Sequence, residues 1–376
     1  MFITRRPKLL LLIPHLGGGG AERVTGLLAT SLSAQKYELH LGLVTQAEAG
    51  SHLPCSVKVH ALGAPRVRAG AFRLVKLVRR LKPDLILSGM AHLNFLVLLS
   101  RPLFPPATRV LVRQNGTVSA MLASGDLPGY TRLLFRMLYR YADRIICQTA
   151  AMANDLSAEL GIPKARLAVL PNPVDLDGIR SAIALDPVLW AGSGPHLLAV
   201  GRLSREKGFD LLLQALAAVR GRFPSTDLVI AGAGPEEKAL RTQCRELGLE
   251  ANVRFTGHIP HPGSYFPGAS AFVLSSRHEG LPNSLLEAAA AGLPLVAVPA
   301  SPGVADLLRH QPGVWLAPEI SSGALADALL EVLQSLRPSQ RFPHAFIHQF
   351  SLARAIRAYE ALFDSALGNG DFHSCE

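Results

Sequence analysis

The stretch Leu9-Leu10-Leu11-Leu12-Ile13-Pro14-His15-Leu16-Gly17-Gly18-Gly19-Gly20-Ala21-Glu22-Arg23-Val24 decides how the rest of the chain reads. Five apolar residues form a strand, the glycines a turn, and Ala21–Val24 the opening of a helix. A short, unbroken apolar run is what a strand covered on both faces of a parallel sheet requires. Outward from it the pattern repeats at Glu38–Val44, Leu85–Ser88, Arg109–Val112 and Ile145–Gln148, with helical stretches between. It restarts after residue 195 at His196–Val200, Asp227–Ala231, Val253–Thr256, Ala271–Ser275 and Leu295–Val298. This predicts an α/β protein with two doubly wound parallel-sheet domains, residues 1–180 and 190–349. The break falls in Asp177–Gly194, where Asp186-Pro187 and Ala191-Gly192-Ser193-Gly194-Pro195 mark an irregular linker.

The 376 residues suffice for two domains with their own cores, and 49% hydrophobic against 18% charged residues excludes a disordered chain. Aromatics at 6% are too few for a base-stacking nucleic-acid platform. The net charge of +10 is uneven: residues 1–190 carry 23 Lys and Arg against 11 Asp and Glu, residues 191–376 carry 15 against 17. Such asymmetry predicts two domains with different partners. Cys55, Cys147, Cys244 and Cys375 show no metal-ligand or CxxC spacing, as expected of reduced thiols in a cytosolic protein. The apolar run after Arg5-Arg6-Pro7-Lys8 is too short for a secretory signal, and no run reaches a membrane span.

In open parallel sheets ligands sit at the carboxyl ends of strands, so the turns there are where chemistry is expected. The backbone at Gly17–Gly20 can approach a ligand closely and leads to a helix N-terminus that suits an anion. It lacks the GxGxxG spacing, because Glu22 and Arg23 stand where the last glycine would fall, which disfavours a nicotinamide enzyme. In Gly201-Arg202-Leu203-Ser204-Arg205-Glu206-Lys207-Gly208, Arg202 and Lys207 can neutralise a diphosphate. The alternative is a solvated basic loop with Glu206 as surface partner. In Glu279-Gly280-Leu281-Pro282-Asn283-Ser284-Leu285-Leu286-Glu287, Glu279 lies in a loop, and Gly280 to Asn283 precede a helix as a second anion cradle. Ser284 to Glu287 also reads as a capping box.

Together with Val169-Leu170-Pro171-Asn172-Pro173-Val174-Asp175, Ile230-Ala231-Gly232-Ala233-Gly234-Pro235 and Val253-Arg254-Phe255-Thr256-Gly257, these motifs resemble the landmarks of retaining family-4 glycosyltransferases (glycosyltransferase group 1). Glu279 and Glu287 look like that family's E-x7-E signature. The resemblance implies the GT-B fold, two Rossmann-like domains facing across a cleft, with a C-terminal helix (350–370) crossing back to the first domain. It implies transfer of a hexosyl or N-acetylhexosaminyl group from a nucleoside-diphosphate sugar, expected to be UDP-linked, to a lipid-linked or glycan acceptor in cell-surface polysaccharide or glycoconjugate synthesis. The donor site carried over is Gly18, Gly19, Gly20, Arg202, Lys207, Gly234, Glu279, Gly280, Leu281, Pro282, Asn283 and Glu287. Arg202 and Lys207 would hold the diphosphate, Glu279 would face the sugar and Glu287 the ribose, with Glu279, Arg202 and Lys207 catalytic. Many relatives carry a histidine where Arg113-Gln114-Asn115 stands here, so acceptor binding is assigned to His92, Arg113, Gln114 and Asn115.

Neither a metal nor a cofactor is expected, since Arg202, Lys207 and helix N-termini supply positive charge. The DxD at Asp175-Leu176-Asp177 reads as a turn or cap. Two other readings stay open: a sugar-nucleotide epimerase or hydrolase of the same fold, and a basic nucleic-acid-binding module. The basic charge concentrates in residues 66–82, with seven cations and no acid, and in Tyr130–Arg144. Arg132, Arg136, Arg140 and Arg144 recur there at helical spacing among apolar residues, which predicts one stripe for anions and apolar faces elsewhere. A solvated face over a core-packed helix is the alternative. The expectation is a cytoplasmic protein, peripheral on the inner face of an anionic membrane, that binds no nucleic acid. The tail 368–376 reads as frayed.

Overall fold

The computed structural model describes residues 5–17, 19–45, 53–123, 130–185, 190, 194–259, 262–335, 337 and 340–368. Gly18, seven residues of the expected linker (186–189 and 191–193) and the tail 369–376 lie outside the described residues. The chain divides into two compact units, 1–173 with 352–376, and 174–351. Residues 174–180, expected in the first domain, therefore belong to the second unit, where Leu176–Leu185 is helical rather than linker. Asp175 Oδ1 accepts the Gly178 N–H at 3.0 Å, so the first aspartate of the DxD caps that helix.

The first unit runs β1 (Lys8–Ile13), α1 (Gly20–Ser31), β2 (Glu38–Leu43), β3 (Lys58–Ala61), α2 (Ala71–Leu81), β4 (Leu85–Ser88) and α3 (Ala91–Ser100). It continues through β5 (Arg109–Arg113), α4 (Val118–Ala123), α5 (Thr131–Tyr139), β6 (Arg144–Cys147), α6 (Ala150–Leu160) and β7 (Leu167–Val169). The second unit holds α7 (Leu176–Leu185), β8 (His196–Val200), α8 (Phe209–Arg220), β9 (Asp227–Ala231), α9 (Glu237–Glu246) and β10 (Val253–Phe255). It is completed by β11 (Ala271–Leu274), α10 (Asn283–Ala290), β12 (Leu295–Ala297), α11 (Pro302–Leu308), β13 (Val314–Leu316) and α12 (Ser322–Ser335); α13 (Leu352–Ala366) returns to the first unit.

Both sheets are parallel throughout, in the orders β3-β2-β1-β4-β5-β6-β7 and β10-β9-β8-β11-β12-β13. Successive strand residues point to opposite faces, so an all-apolar strand must find two cores. Leu10 and Leu12 pack with α2, α3, α5 and α6 on one face; Leu9, Leu11 and Ile13 pack with α1 and α13 on the other. In the second unit Leu197 and Val273 face α8, α9 and α12, while Leu198 and Phe272 face α10 and α11. Each fully buried Leu contributes roughly 1.5–3 kcal/mol.

The terminal helix is held to the first unit by packing and charge together. Tyr359, Leu362 and Phe363 are fully buried, and Phe363 meets the Tyr37 ring edge-on at 6.3 Å. The Tyr37 hydroxyl donates to Asp364 Oδ1 at 2.9 Å, and Lys36 Nζ pairs with Asp364 Oδ2 at 2.6 Å. Burial first, then the Asp364 carboxylate, pushes the Tyr37 pKa upward.

The arginine-rich segment departs from expectation. The helix ends at Tyr139, and Arg144 heads β6 instead, because the chain turns to pair Arg144 with Leu111 of β5. At the sheet edge His40 Nδ1 and His60 Nε2 share a hydrogen bond of 2.9 Å, with Glu38 at 3.2 Å from His40 Nε2 and Lys58 on Glu38 at 2.7 Å. One ring must donate and the other accept, so the pair cannot keep this bond with both rings protonated. Burial lowers both pKa values; Glu38 opposes this at His40, and Lys58 and Lys8 reinforce it, while His40, Arg80 and Lys58 add to it at His60.

A depressed histidine pKa means the unfolded chain takes up protons first as pH falls. Stability is complete above about 6.5 and declines below it toward the folded values. The melting temperature should fall between pH about 7.5 and 5.5, and more shallowly in a His40→Gln/His60→Gln variant; an unchanged slope refutes this role. His344, also lowered by burial, accounts for part of the remaining slope. Phe363→Ala should destabilise the first unit by about 3–5 kcal/mol in urea unfolding; a loss near zero would mean that α13 contributes nothing to that core.

Candidate functional site

In the second unit two loops leave the carboxyl ends of neighbouring strands: 201–208 after β8 and 275–282 after β11. Gly208 brings them together. Its φ of 62° lies in the left-handed region, and a Cβ there would run into the Ser275 carbonyl oxygen. Two hydrogen bonds fasten the contact, both donated by the second loop to carbonyls of the first: Ser275 Oγ to Lys207 O at 2.9 Å and the Arg277 N–H to Glu206 O at 2.7 Å. Gly232, at φ 152°, performs the same service between β9 and β8, where a side chain would strike Gly201 O. Gly234 lies against the Leu203 backbone, and the Leu203 N–H bonds Ala233 O at 3.0 Å.

This places Lys207 Nζ 2.5 Å from Glu279 Oε1, both side chains largely shielded at 20% and 12% exposure. Ser276 Oγ donates to the same carboxylate oxygen at 2.8 Å, and the Glu279 N–H bonds Ala300 O at 3.2 Å. Arg277 forks onto Asp210 with two contacts of 2.6 Å. Burial alone would raise the Asp210 carboxyl, but the Arg277 hydrogen bonds and charge and the N–H groups of Asp210 and Leu211 outweigh it and hold it below its usual range. Neither Ser276 nor the Asp210–Arg277 pair was assigned a role from sequence. The signal for Ser276 is its position three residues before Glu279; nothing local links Asp210 to Arg277, 67 residues away.

Arg202 does not join Lys207. It stands 66% exposed, paired with Glu206 at 3.1 Å, as the solvated alternative described. The capping box at Ser284 is not formed: Pro282 is the N-cap, no side chain caps the helix, and α10 starts at Asn283. With Asn283 as the first helical residue, Ser284 lies inside the first turn. Gly280, Leu281 and Pro282 are buried ahead of that start, and Glu287 is buried one turn in, with hydrogen-bonding or charged contacts of its own.

In the first unit the glycine turn leads to Gly19 as N-cap of α1. The buried Glu22 carboxylate folds back over Gly19, where an added Cβ would meet it, and lies 3.9 Å from His15 Nδ1. That ring nitrogen also accepts the Gly17 N–H at 3.0 Å. The cradle offered by Gly19 and Gly20 thus carries a carboxylate at its mouth. Glu22 was not assigned a role from sequence, although a glutamate three residues after a helix N-cap is a readable signal. His92, at the start of α3, has its pKa lowered first by surrounding protein; Glu22 raises it and His15 lowers it, which places the three groups within electrostatic reach.

Arg113 and Gln114 are a correction to the acceptor assignment. Both are buried, and their side-chain polar atoms, Arg113 Nε excepted, are engaged inside the unit. Arg113 donates to Asn172 Oδ1 and, at 2.5 Å, to Asn115 Oδ1. Gln114 donates to Gly116 O at 2.9 Å and accepts from the Tyr139 hydroxyl at 2.8 Å. They shape the loop after β5 rather than offering free amides. Asn115 Nδ2 donates to Gly89 O at 2.6 Å and joins that loop to the one after β4.

Two family models match the chain: Glycosyltransferase Family 4 over residues 18–177 and Glycosyl transferases group 1 over residues 186–345. A glycogen synthase of Mycobacterium tuberculosis is 33% identical over 293 residues, 75% of this chain and 68% of that protein. The N-acetylgalactosamine-N,N'-diacetylbacillosaminyl-diphospho-undecaprenol 4-alpha-N-acetylgalactosaminyltransferase of Campylobacter jejuni is 28% identical over 310 residues, 80% of this chain and 83% of that one. Among solved structures the Anabaena protein HepE, in complex with UDP and glucose, superposes with a TM-score of 0.76 at 19% identity, covering 96% of this chain and 100% of that one. With its two parallel sheets, its Lys207–Glu279 pair and both family matches in the expected order, the chain belongs to the group 1 glycosyltransferases and has the GT-B fold.

Proposed function

We propose that the protein moves a hexosyl or N-acetylhexosaminyl group from a UDP-sugar to a glycan or lipid-linked acceptor, with retention, in the synthesis of a cell-surface polysaccharide or glycoconjugate. The observation that carries this reading is the shielded Lys207–Glu279 contact at the mouth of the β8 and β11 loops. A cation held by a carboxylate before substrate arrives is available to a diphosphate, which competes for it with more charge. Glu279 is then released toward the donor sugar. The UDP and glucose in the HepE complex and the diphospho-undecaprenol-linked substrate in the Campylobacter enzyme's name favour a UDP donor and a lipid-linked acceptor.

In the reaction the bond between the anomeric carbon and the diphosphate oxygen breaks, and one to the acceptor oxygen forms on the same face. The acceptor hydroxyl's proton passes to the departing diphosphate. Charge grows on that leaving group, and fixed cations are most effective where charge develops. Lys207 supplies one such cation, and Arg202, exposed on its loop, supplies another on exchanging Glu206 for phosphate. The N-terminus of α10 adds backbone N–H groups, and Glu287 takes the ribose hydroxyls. This set needs no divalent metal. On the acceptor side Asn115 and His92 are the groups we assign, with Glu22 and His15 beside them. A nucleotide sugar and a lipid-linked acceptor would meet on the cytoplasmic face of a membrane.

UDP should stabilise the protein in a thermal-shift experiment and Lys207→Ala should abolish the shift. Lys207→Ala and Glu279→Gln should each lower kcat/KM by about 10²–10³-fold, and added chelator should leave the rate unchanged. UDP release independent of any acceptor would replace transfer by hydrolysis or epimerisation; loss of activity with chelator would refute the cation mechanism.

A further inference from the structure

The nine residues of α5 carry two kinds of side chain on one exposed stripe. Its core side is Thr131, Phe135, Leu138 and Tyr139, all buried. The solvent side pairs arginine with an apolar neighbour at every turn: Arg132 with Leu133, Arg136 with Met137 and, just past the helix end, Arg140 with Tyr141. The expected division into a cationic stripe and apolar faces turned elsewhere does not hold. Leu133 is 57% exposed, and Met137 and Tyr141 each 47%.

The mixture continues across the adjoining helices on the same face of the sheet. Leu99, near the end of α3, is 68% exposed, and Leu103 follows one turn later. Arg101 bridges to the Tyr141 carbonyl and to Asp143 at 2.8 Å, joining this corner to the end of α5. Arg79 of α2 donates to Leu103 O at 2.9 Å, joining it to α2 on the other side. On α2 itself Phe72, 78% exposed, shares a helical stripe with Lys76, Arg79 and Arg80. Among the described residues Lys76 and Arg80 have no carboxylate within ion-pair distance.

Seven of the eight large apolar residues left exposed among the described residues lie on or beside these three helices. An apolar patch of this kind marks an interaction surface. Its cations decide the occupant. A second copy would set arginines against arginines, whereas an anionic lipid surface takes the cations at its phosphates and the apolar side chains just beneath. No helix of the described residues is long and apolar enough to cross a membrane, so the contact would be interfacial. We propose that the face formed by α2, the end of α3 and α5 docks on an anionic lipid bilayer, with Phe72, Leu99, Leu133 and Met137 inserted at the headgroup level and Lys76, Arg80, Arg136 and Arg140 on lipid phosphates. The proposal deepens the lipid-linked acceptor reading without resting on it.

The full chain is mixed with phosphatidylcholine vesicles with or without phosphatidylglycerol, lacking nucleotide sugar and acceptor, and floated. The protein should float only with phosphatidylglycerol vesicles and less as salt is raised. A Phe72→Ser/Leu133→Ser/Met137→Ser variant and a Lys76→Glu/Arg80→Glu variant should each bind at least about tenfold more weakly, with melting temperature and UDP binding as in wild type. A Leu133→Trp variant should shift its emission to the blue on vesicles. No flotation, flotation indifferent to the serine variant, or a solution dimer that the serine variant dissolves overturns the proposal, the last in favour of a second copy. Because acceptor and donor are absent, none of these results bears on the transfer reaction.

Discussion

A parallel sheet covered on both faces permits ligands only at its ends. The central strands spend their N–H and C=O groups on neighbours at either side and bury side chains on both faces. The helices that connect them fill those faces. The turns at the carboxyl edges remain open, and Gly19, Gly201, Gly208, Gly232 and Gly280 lie there with Arg202, Lys207 and Glu279. Gly208 shows how tight the arrangement is: without its missing side chain the two loops of the second unit could not share hydrogen bonds, and Lys207 would not reach Glu279.

Three of the cations at that edge are held in pairs. Lys207 with Glu279, Arg277 with Asp210 and Arg202 with Glu206 each neutralise one cation. The pairs differ in shielding, and so in what they can do. The forked Arg277–Asp210 bond fastens one loop to α8, while the exposed Arg202–Glu206 pair costs little to open. Lys207–Glu279 stands between them, shielded enough to be specific and placed where a substrate phosphate can compete. In the first unit the same logic runs in reverse, since Glu22 covers a helix N-terminus that would otherwise attract an anion.

The net charge of the chain belongs mostly to another surface. The arginines of α5 and the cations of α2 lie beside exposed leucine, methionine and phenylalanine side chains. Charge alone would suit any anionic polymer. The interleaved apolar groups are what distinguish a lipid surface from a solvated helix, and they become visible only once the helix is rotated onto its core.

Strands were legible where they are central. Leu9–Ile13, Leu85–Ser88, His196–Val200 and Asp227–Ala231 fall on observed strands because each is covered on both faces and so written as an apolar run. Lys58–Ala61, Leu167–Val169 and Val314–Leu316 were not read, and all three are edge strands; the fourth edge strand, β10, was read as Val253–Thr256. An edge strand is covered on fewer sides, so Lys58, Val59, His60 and Ala61 stay partly or fully exposed and leave no apolar signature. Fold class, the two-unit plan and the loops that carry Lys207 and Glu279 followed from sequence, since hydrophobic period and glycine placement are local properties. That Lys207 pairs with Glu279 while Arg202 does not, that Gln114 is consumed by Tyr139, and that the α5 arginines share their face with apolar side chains was decided by tertiary structure alone. These depend on which side chains, 25 to 72 residues apart, the sheets bring within a few ångströms.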